Sequence, residues 1–145
     1  MVLKKGTEDE VLKDTCEKAR KEGKLSKRQF ARLLEIFGGR FERALKVVEE
    51  NRVKHYTFKP SGREIWIVVG KEREYQILPR AGYCSCDDFY FHVMSGEVGV
   101  CYHLIAQRIC EAVGTVEEVE EGDEFYEALM VEWRRQVMAI GRTRP

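Results

Sequence analysis

Two tight pairs of soft ligands, Cys84-x-Cys86 and Cys101-x-His103, are separated by fourteen residues in YCSCDDFYFHVMSGEVGVCYHL, residues 83–104. This stretch holds three of the chain's five cysteines and two of its three histidines. No other feature constrains the fold as strongly, because four such groups meeting at one ion would fix two separate backbone segments at once. Structural zinc takes four ligands in a tetrahedron, usually thiolates and imidazoles. Cys84, Cys86, Cys101 and His103 offer a Cys₃His set, so the expectation is one structural Zn²⁺ per chain. A disulfide between Cys84 and Cys86 is disfavoured, since one intervening residue gives poor geometry.

The spacing also dictates local conformation. Alternate residues of extended backbone share a face, so Cys84 and Cys86 form a hook with both sulfurs aimed at one ion and Ser85 turned away. Positions i and i+2 of a helix diverge by about 200°. Cys101 must therefore be non-helical, at or before the cap of a helix whose first turn carries His103. That helix N-terminus would favour thiolate charge. His92 lies in a Cys86-x5-His92 register but is expected on the surface of a short helix. Cys110 lies seven residues beyond His103, about 10 Å along the helix, and is expected in the core with Cys16. His55 has no sequence neighbour to partner it and is read as satisfied or exposed, and Trp66 as core.

Around the motif the sequence reads as α+β. Thr7 with Glu10 and Ser26 with Gln29 are capping-box patterns, and Leu25 and Phe30 suit a hydrophobic staple. Val11, Leu12, Cys16 and Ala19, then Phe30, Leu33, Leu34 and Phe37, then Phe41, Ala44, Leu45 and Val48 keep helical spacing. Gly23 and Gly38-Gly39 punctuate them, and the third helix should end near Asn51. The runs 53–58, 64–70 and 74–79 are β-branched and aromatic, with turn chemistry at Pro60-Ser61-Gly62 and Gly70-Lys71. They predict a three-stranded antiparallel meander. Residues 65–69 are apolar on both faces, so that strand should be central and covered by helices.

Beyond the meander, Asp87-Asp88 should cap a short helix with Phe89/Val93 and Tyr90/Met94 pairs, followed by a loop at Ser95-Gly96 and Gly99. A helix with Ile105, Ile109 and Val113 on one stripe should stop at Gly114. Thr115 with Glu118 reads as a third capping box and the acidic run 117–124 as a tether. The final helix, from about 123 to 140, carries Phe125, Leu129, Trp133, Val137 and Ile140, widened by Tyr126 and Met130. That stripe should pack on the core, the alternative being an interface with a second copy or a partner.

The C-x-C-x14-C-x-H pattern, preceded by strands and followed by a helix carrying His103-Leu104, resembles the SWIM zinc finger over about residues 53–113. YCSCDDFYF and CYHLIAQRI are similar to the small single-SWIM proteins of archaea and eukaryotes, whose eukaryotic members act with RecA-family recombinase paralogues in homologous recombination. The resemblance implies zinc on Cys84, Cys86, Cys101 and His103, and an accessory role in recombination or repair beside a RecA/RadA-type ATPase. The expected organisation is one domain over 1–145: helical 1–52, the finger at 53–113 and a C-terminal helix at 114–145.

Charge and composition bound the remaining readings. With 43% apolar and 34% charged residues the chain reads as globular. Its apolar runs are too short to cross a membrane, and MVLKKGTEDE has no apolar leader core, so a cytoplasmic, reducing setting is expected. There, clustered cysteines favour metal over disulfides. Glycine-rich phosphate loops, GxSxG and HExxH are absent from the sequence, and a closed four-ligand site leaves no position for substrate, so no enzyme is expected. Residues 1–80 carry 20 Lys and Arg against 13 Asp and Glu, a net of +7, and residues 81–145 carry 5 against 12, a net of −7. The basic half keeps direct DNA contact open as an alternative, through Arg40, Arg43, Lys46, Arg52 and Lys54. Oxidation of zinc-bound thiolates in a redox sensor is a further one.

Overall fold

Apolar residues at helical spacing give way to β-branched and aromatic runs at residue 53, and the secondary structure changes there. The computed structural model describes residues 5–87, 89–93 and 99–143, with the side chains of residues 5, 91, 92 and 137–143 outside that description. Three helices come first: α1 (Lys5–Glu22), α2 (Lys27–Phe37) and α3 (Gly39–Glu49). The Ser26 capping box forms as expected. The Gln29 N–H donates to Ser26 Oγ at 3.1 Å, and the Ser26 N–H donates to Gln29 Oε1 at 2.8 Å. Gly38, at φ 55° and ψ −123°, separates α2 from α3 in a conformation that side chains resist. Thr7 does not cap α1, which is already helical at Lys5. Glu8, one residue on, faces inward against Arg40 of α3.

The meander forms from β1 (Val53–Lys59), β2 (Glu64–Val69) and β3 (Glu74–Leu78), all antiparallel, with His55 opposite Trp66 and Trp66 opposite Ile77. Two further strands extend it. β4 (Tyr83–Cys84) pairs with β3, and β5 (Glu117–Gly122) pairs parallel with β1, giving the order β4-β3-β2-β1-β5. The acidic run is thus an edge strand rather than a tether, and Thr115 does not open a helix. Four glutamates hide its alternation, and Glu118 reaches across the sheet to a ring nitrogen of His55. At the β2–β3 turn a side chain on Gly70 would meet the Tyr75 ring at 2.7 Å and the Arg73 carbonyl at 2.9 Å, so the turn closes only on a bare Cα.

Both faces of β2 are covered, as its composition requires. Val53, Val68 and Ile77 pack with α1, α2, α3 and α4 (Tyr102–Val113) in the larger core. Tyr56, Phe58, Ile65 and Ile67 form a second core under α5 (Tyr126–Thr143), where Trp133 is buried. The contacting stripe of α5 is Tyr126, Leu129, Met130 and Trp133. Phe125 precedes the helix and is 51% exposed, contrary to expectation. The side chains of Val137 and Ile140 lie outside the described residues.

Between β4 and α4 the short helix is a π-helix, Phe89–Val93, so the expected i,i+4 pairing does not apply. The Asp88 cap, Met94 and Ser95-Gly96 lie outside the described residues.

Candidate metal centre

The hook closes because β4 is only two residues long. Cys84 is still paired with Ile77 of β3. Ser85 turns away to hydrogen-bond Gln76 through Oγ, which accepts the Gln76 N–H at 2.9 Å. Cys86 then leaves the strand, and its Sγ accepts the Phe89 N–H at 3.3 Å. On the other side Cys101 is the N-cap of α4, extended at φ −86° and ψ 165°, and its side chain makes no capping hydrogen bond. His103 follows in the first turn. The two segments meet so that one ligand atom from each of Cys84, Cys86, Cys101 and His103 lies within 4.8 Å of all the others, and all four residues are buried. Sulfurs about 2.3 Å from one tetrahedral zinc would stand roughly 3.8 Å apart. The cluster therefore fits one structural zinc.

The electrostatics point to the same fit. Hydrogen bonds from the Cys101 and Cys84 thiols pull Cys86 far below the thiol range, with His103 assisting against burial. Burial, then hydrogen bonding with Cys101 and Cys86, pushes Cys84 well up. Cys101 is lowered by its hydrogen bond with Cys84, but Cys86 and burial outweigh this and hold it above its ordinary value. Three thiols so close together in so dry a place resist ionising together, and a divalent cation is what would allow all three to do so. Among the described residues nothing hydrogen-bonds the buried Nδ1 of His103, a cost that suits a ring held by a metal. That ring is clasped between Tyr75 and Tyr102, with centroids at 4.3 and 4.0 Å. Tyr75 in turn lies under the buried guanidinium of Arg73, which pairs with Asp87 beside the hook at 3.5 Å.

The other candidates stay apart from the cluster. Cys110 is fully buried in α4 and Cys16 is buried in α1, where burial pushes its thiol up to about 11. His55 is satisfied: it stacks on Trp66 at 4.2 Å while its ring nitrogens meet Glu118 at 2.8 Å and Glu64 at 2.7 Å. The side chain of His92 lies outside the described residues. Among the basic residues offered for DNA, Arg40 is bound to Glu8 and the Val100 carbonyl, and Arg52 to Glu50 and the Val69 carbonyl. The Glu8–Arg40 contact to the segment before Cys101 was not legible from spacing, its partners being 32 and 60 residues apart. One signal did exist: Glu8 sits four residues before Leu12, in the apolar stripe of α1. No described helix is long and apolar enough to cross a membrane.

Comparison with known proteins reaches well beyond the cluster. The chain is 28% identical to the zinc finger SWIM domain-containing protein 7 homolog of Dictyostelium discoideum over 106 residues, covering 72% of this chain and 68% of that one. It is 25% identical to mouse zinc finger SWIM domain-containing protein 7 over 137 residues, 93% of this chain and 90% of the mouse protein. The human protein of that name is 23% identical over 130 residues, covering 88% and 92% respectively. A family model described as fungal HAT1, C-terminal, matches residues 3–37, which end well short of the four ligands. No solved structure matches. Similarity that spans nearly the whole of both chains, joined to an assembled Cys-x-Cys…Cys-x-His cluster, makes this chain a homologue of zinc finger SWIM domain-containing protein 7.

Proposed function

We propose that this SWIM zinc finger protein is a zinc-stabilised interaction module, an accessory factor in homologous recombination or DNA repair that acts with a RecA/RadA-type ATPase. The observation that carries the zinc part is the convergence of four buried ligand atoms within 4.8 Å. Cys84, Cys86, Cys101 and His103 would fill all four positions of a tetrahedral ion and leave none for water or substrate. Such a metal fastens a fold; it does not activate a nucleophile. The reading is therefore of a binding protein rather than an enzyme. The recombination role and the ATPase partner rest on the family likeness, and are supported by similarity that extends past the finger into the flanking helices.

Co-purification of tagged full-length protein from its native host tests the partner. Recovery of a RecA/RadA-type ATPase with the wild type, and its loss with Cys86→Ser, is expected. Recovery of no recombination protein would leave the partner without support. Direct DNA binding is the less favoured reading, since Arg40 and Arg52 already hold partners within the chain. A mobility shift over a salt series separates the two, because phosphate contacts weaken steeply with salt.

A further inference from the structure

Glu8 is only 5% exposed, yet it lies on the apolar side of α1. A buried carboxylate persists when it is paired and fully hydrogen-bonded, and this one is. Its Oε2 accepts from Arg40 Nη2 at 2.8 Å and its Oε1 from Arg40 Nη1 at 3.0 Å. The same Oε1 accepts the Gly99 N–H at 2.7 Å, while Arg40 Nη1 donates also to the Val100 carbonyl at 2.8 Å. The pair therefore grips one polar group on each of the two residues that lead into Cys101. Cys101 enters α4 in an extended conformation, directly after the two residues that the pair holds.

We propose that Glu8 and Arg40 are a positioning pair for the metal centre. They fix residues 99 and 100 so that the Cys101 sulfur stays at the cluster, and they couple the docking of α1 on α3 to zinc retention. Arg40 reaches this place because the break at Gly38 starts α3 beside it. Groups that orient a metal ligand typically change affinity by about 10–100-fold when removed. The inference rests on the structural-zinc reading above.

The test uses zinc-loaded full-length protein and the rate of zinc transfer to a chromogenic chelator. Glu8→Gln and Arg40→Lys are compared with the wild type and with Trp133→Ala, which weakens the opposite face of the sheet without touching residues 99–101. Both clamp variants should release zinc about tenfold faster or more, and the Gly99 amide should lose hydrogen-exchange protection in Glu8→Gln. Trp133→Ala should melt lower yet release zinc at the wild-type rate. Should Glu8→Gln not fold, Arg40→Lys carries the test: it keeps the charge but cannot span both Glu8 oxygens and Val100. Wild-type release rates in the clamp variants, or equal acceleration in Trp133→Ala, would overturn the inference alone. A wild type that holds no zinc would overturn the structural-zinc reading and the inference together.

Discussion

The two faces of the sheet are held by different physics. On one, Tyr56, Phe58, Ile65 and Ile67 meet Trp133 through aromatic and aliphatic contact, with Trp133 edge-on to Tyr56 at 5.2 Å. On the other, the core runs into a dry cluster of three sulfurs and an imidazole, flanked by the Glu8–Arg40 pair. Apolar contact is a sum of many small terms and fails by degrees. A four-ligand site loses most of its strength when one ligand goes, because metal binding and folding are one equilibrium. Damage to the first face should therefore be graded, whereas loss of any of the four ligands on the second should be close to all-or-none.

The largest effect tests the second half of that contrast. Cys86→Ser or Cys101→Ser should lose zinc and with it the cooperative melting transition. Structural zinc contributes apparent free energies of about 10–16 kcal/mol in finger peptides, as large as the roughly 5–15 kcal/mol of a whole domain. Stoichiometric metal and wild-type melting in either variant would erase the distinction between the faces.

Trp133→Ala, on the graded face, should cost about 3–5 kcal/mol, lowering the melting temperature by roughly 10 °C, while metal analysis still finds a full zinc load. Loss of zinc there would mean that the faces are not separable.

A smaller effect belongs to Cys16, in the metal-side core but away from the metal. Burial raises its thiol from 9.0 to about 11. The folded state thus favours the protonated form, and the resulting stabilisation is fully present below pH 9 and lost as pH rises through 11. Stability measured against pH in wild type and Cys16→Ala should diverge least above pH 11, with zinc unchanged in both. Smallest of all, Phe125→Ser should shift stability by less than about 0.5 kcal/mol, since Phe125 is largely exposed and outside the stripe that covers the sheet. A large loss of stability on thermal melting would place Phe125 in the graded face after all.

Much of this was legible in the sequence where one local rule decided the outcome. The Ser26 box, the Gly38 break, the meander and the extended Cys101 each followed from spacing or backbone chemistry within a few residues. β5 was hidden because Glu117, Glu118, Glu120 and Glu121 mask the period of two, and only pairing with β1, more than fifty residues away, makes it a strand. Thr7 offers a local cap, yet α1 already runs through it from Lys5, and only tertiary contact shows that Glu8 beside it is buried against Arg40. On α5 the spacing identifies Tyr126, Leu129, Met130 and Trp133, and only Phe125 falls outside, because it continues the spacing of Leu129 and Trp133 but precedes the helix that carries them. The four cluster residues were the most readable part, since ligand chemistry at such short spacing has few other uses.

On this reading one zinc, held by Cys84, Cys86, Cys101 and His103, fastens the helical side of the sheet. Elemental analysis of purified protein, paired with thermal unfolding before and after chelation, tests it most directly. One zinc per chain is expected and, once the metal is stripped, loss of the cooperative transition with recovery on adding zinc back. Substoichiometric metal in fully folded protein, or an unchanged transition after complete removal, would contradict it.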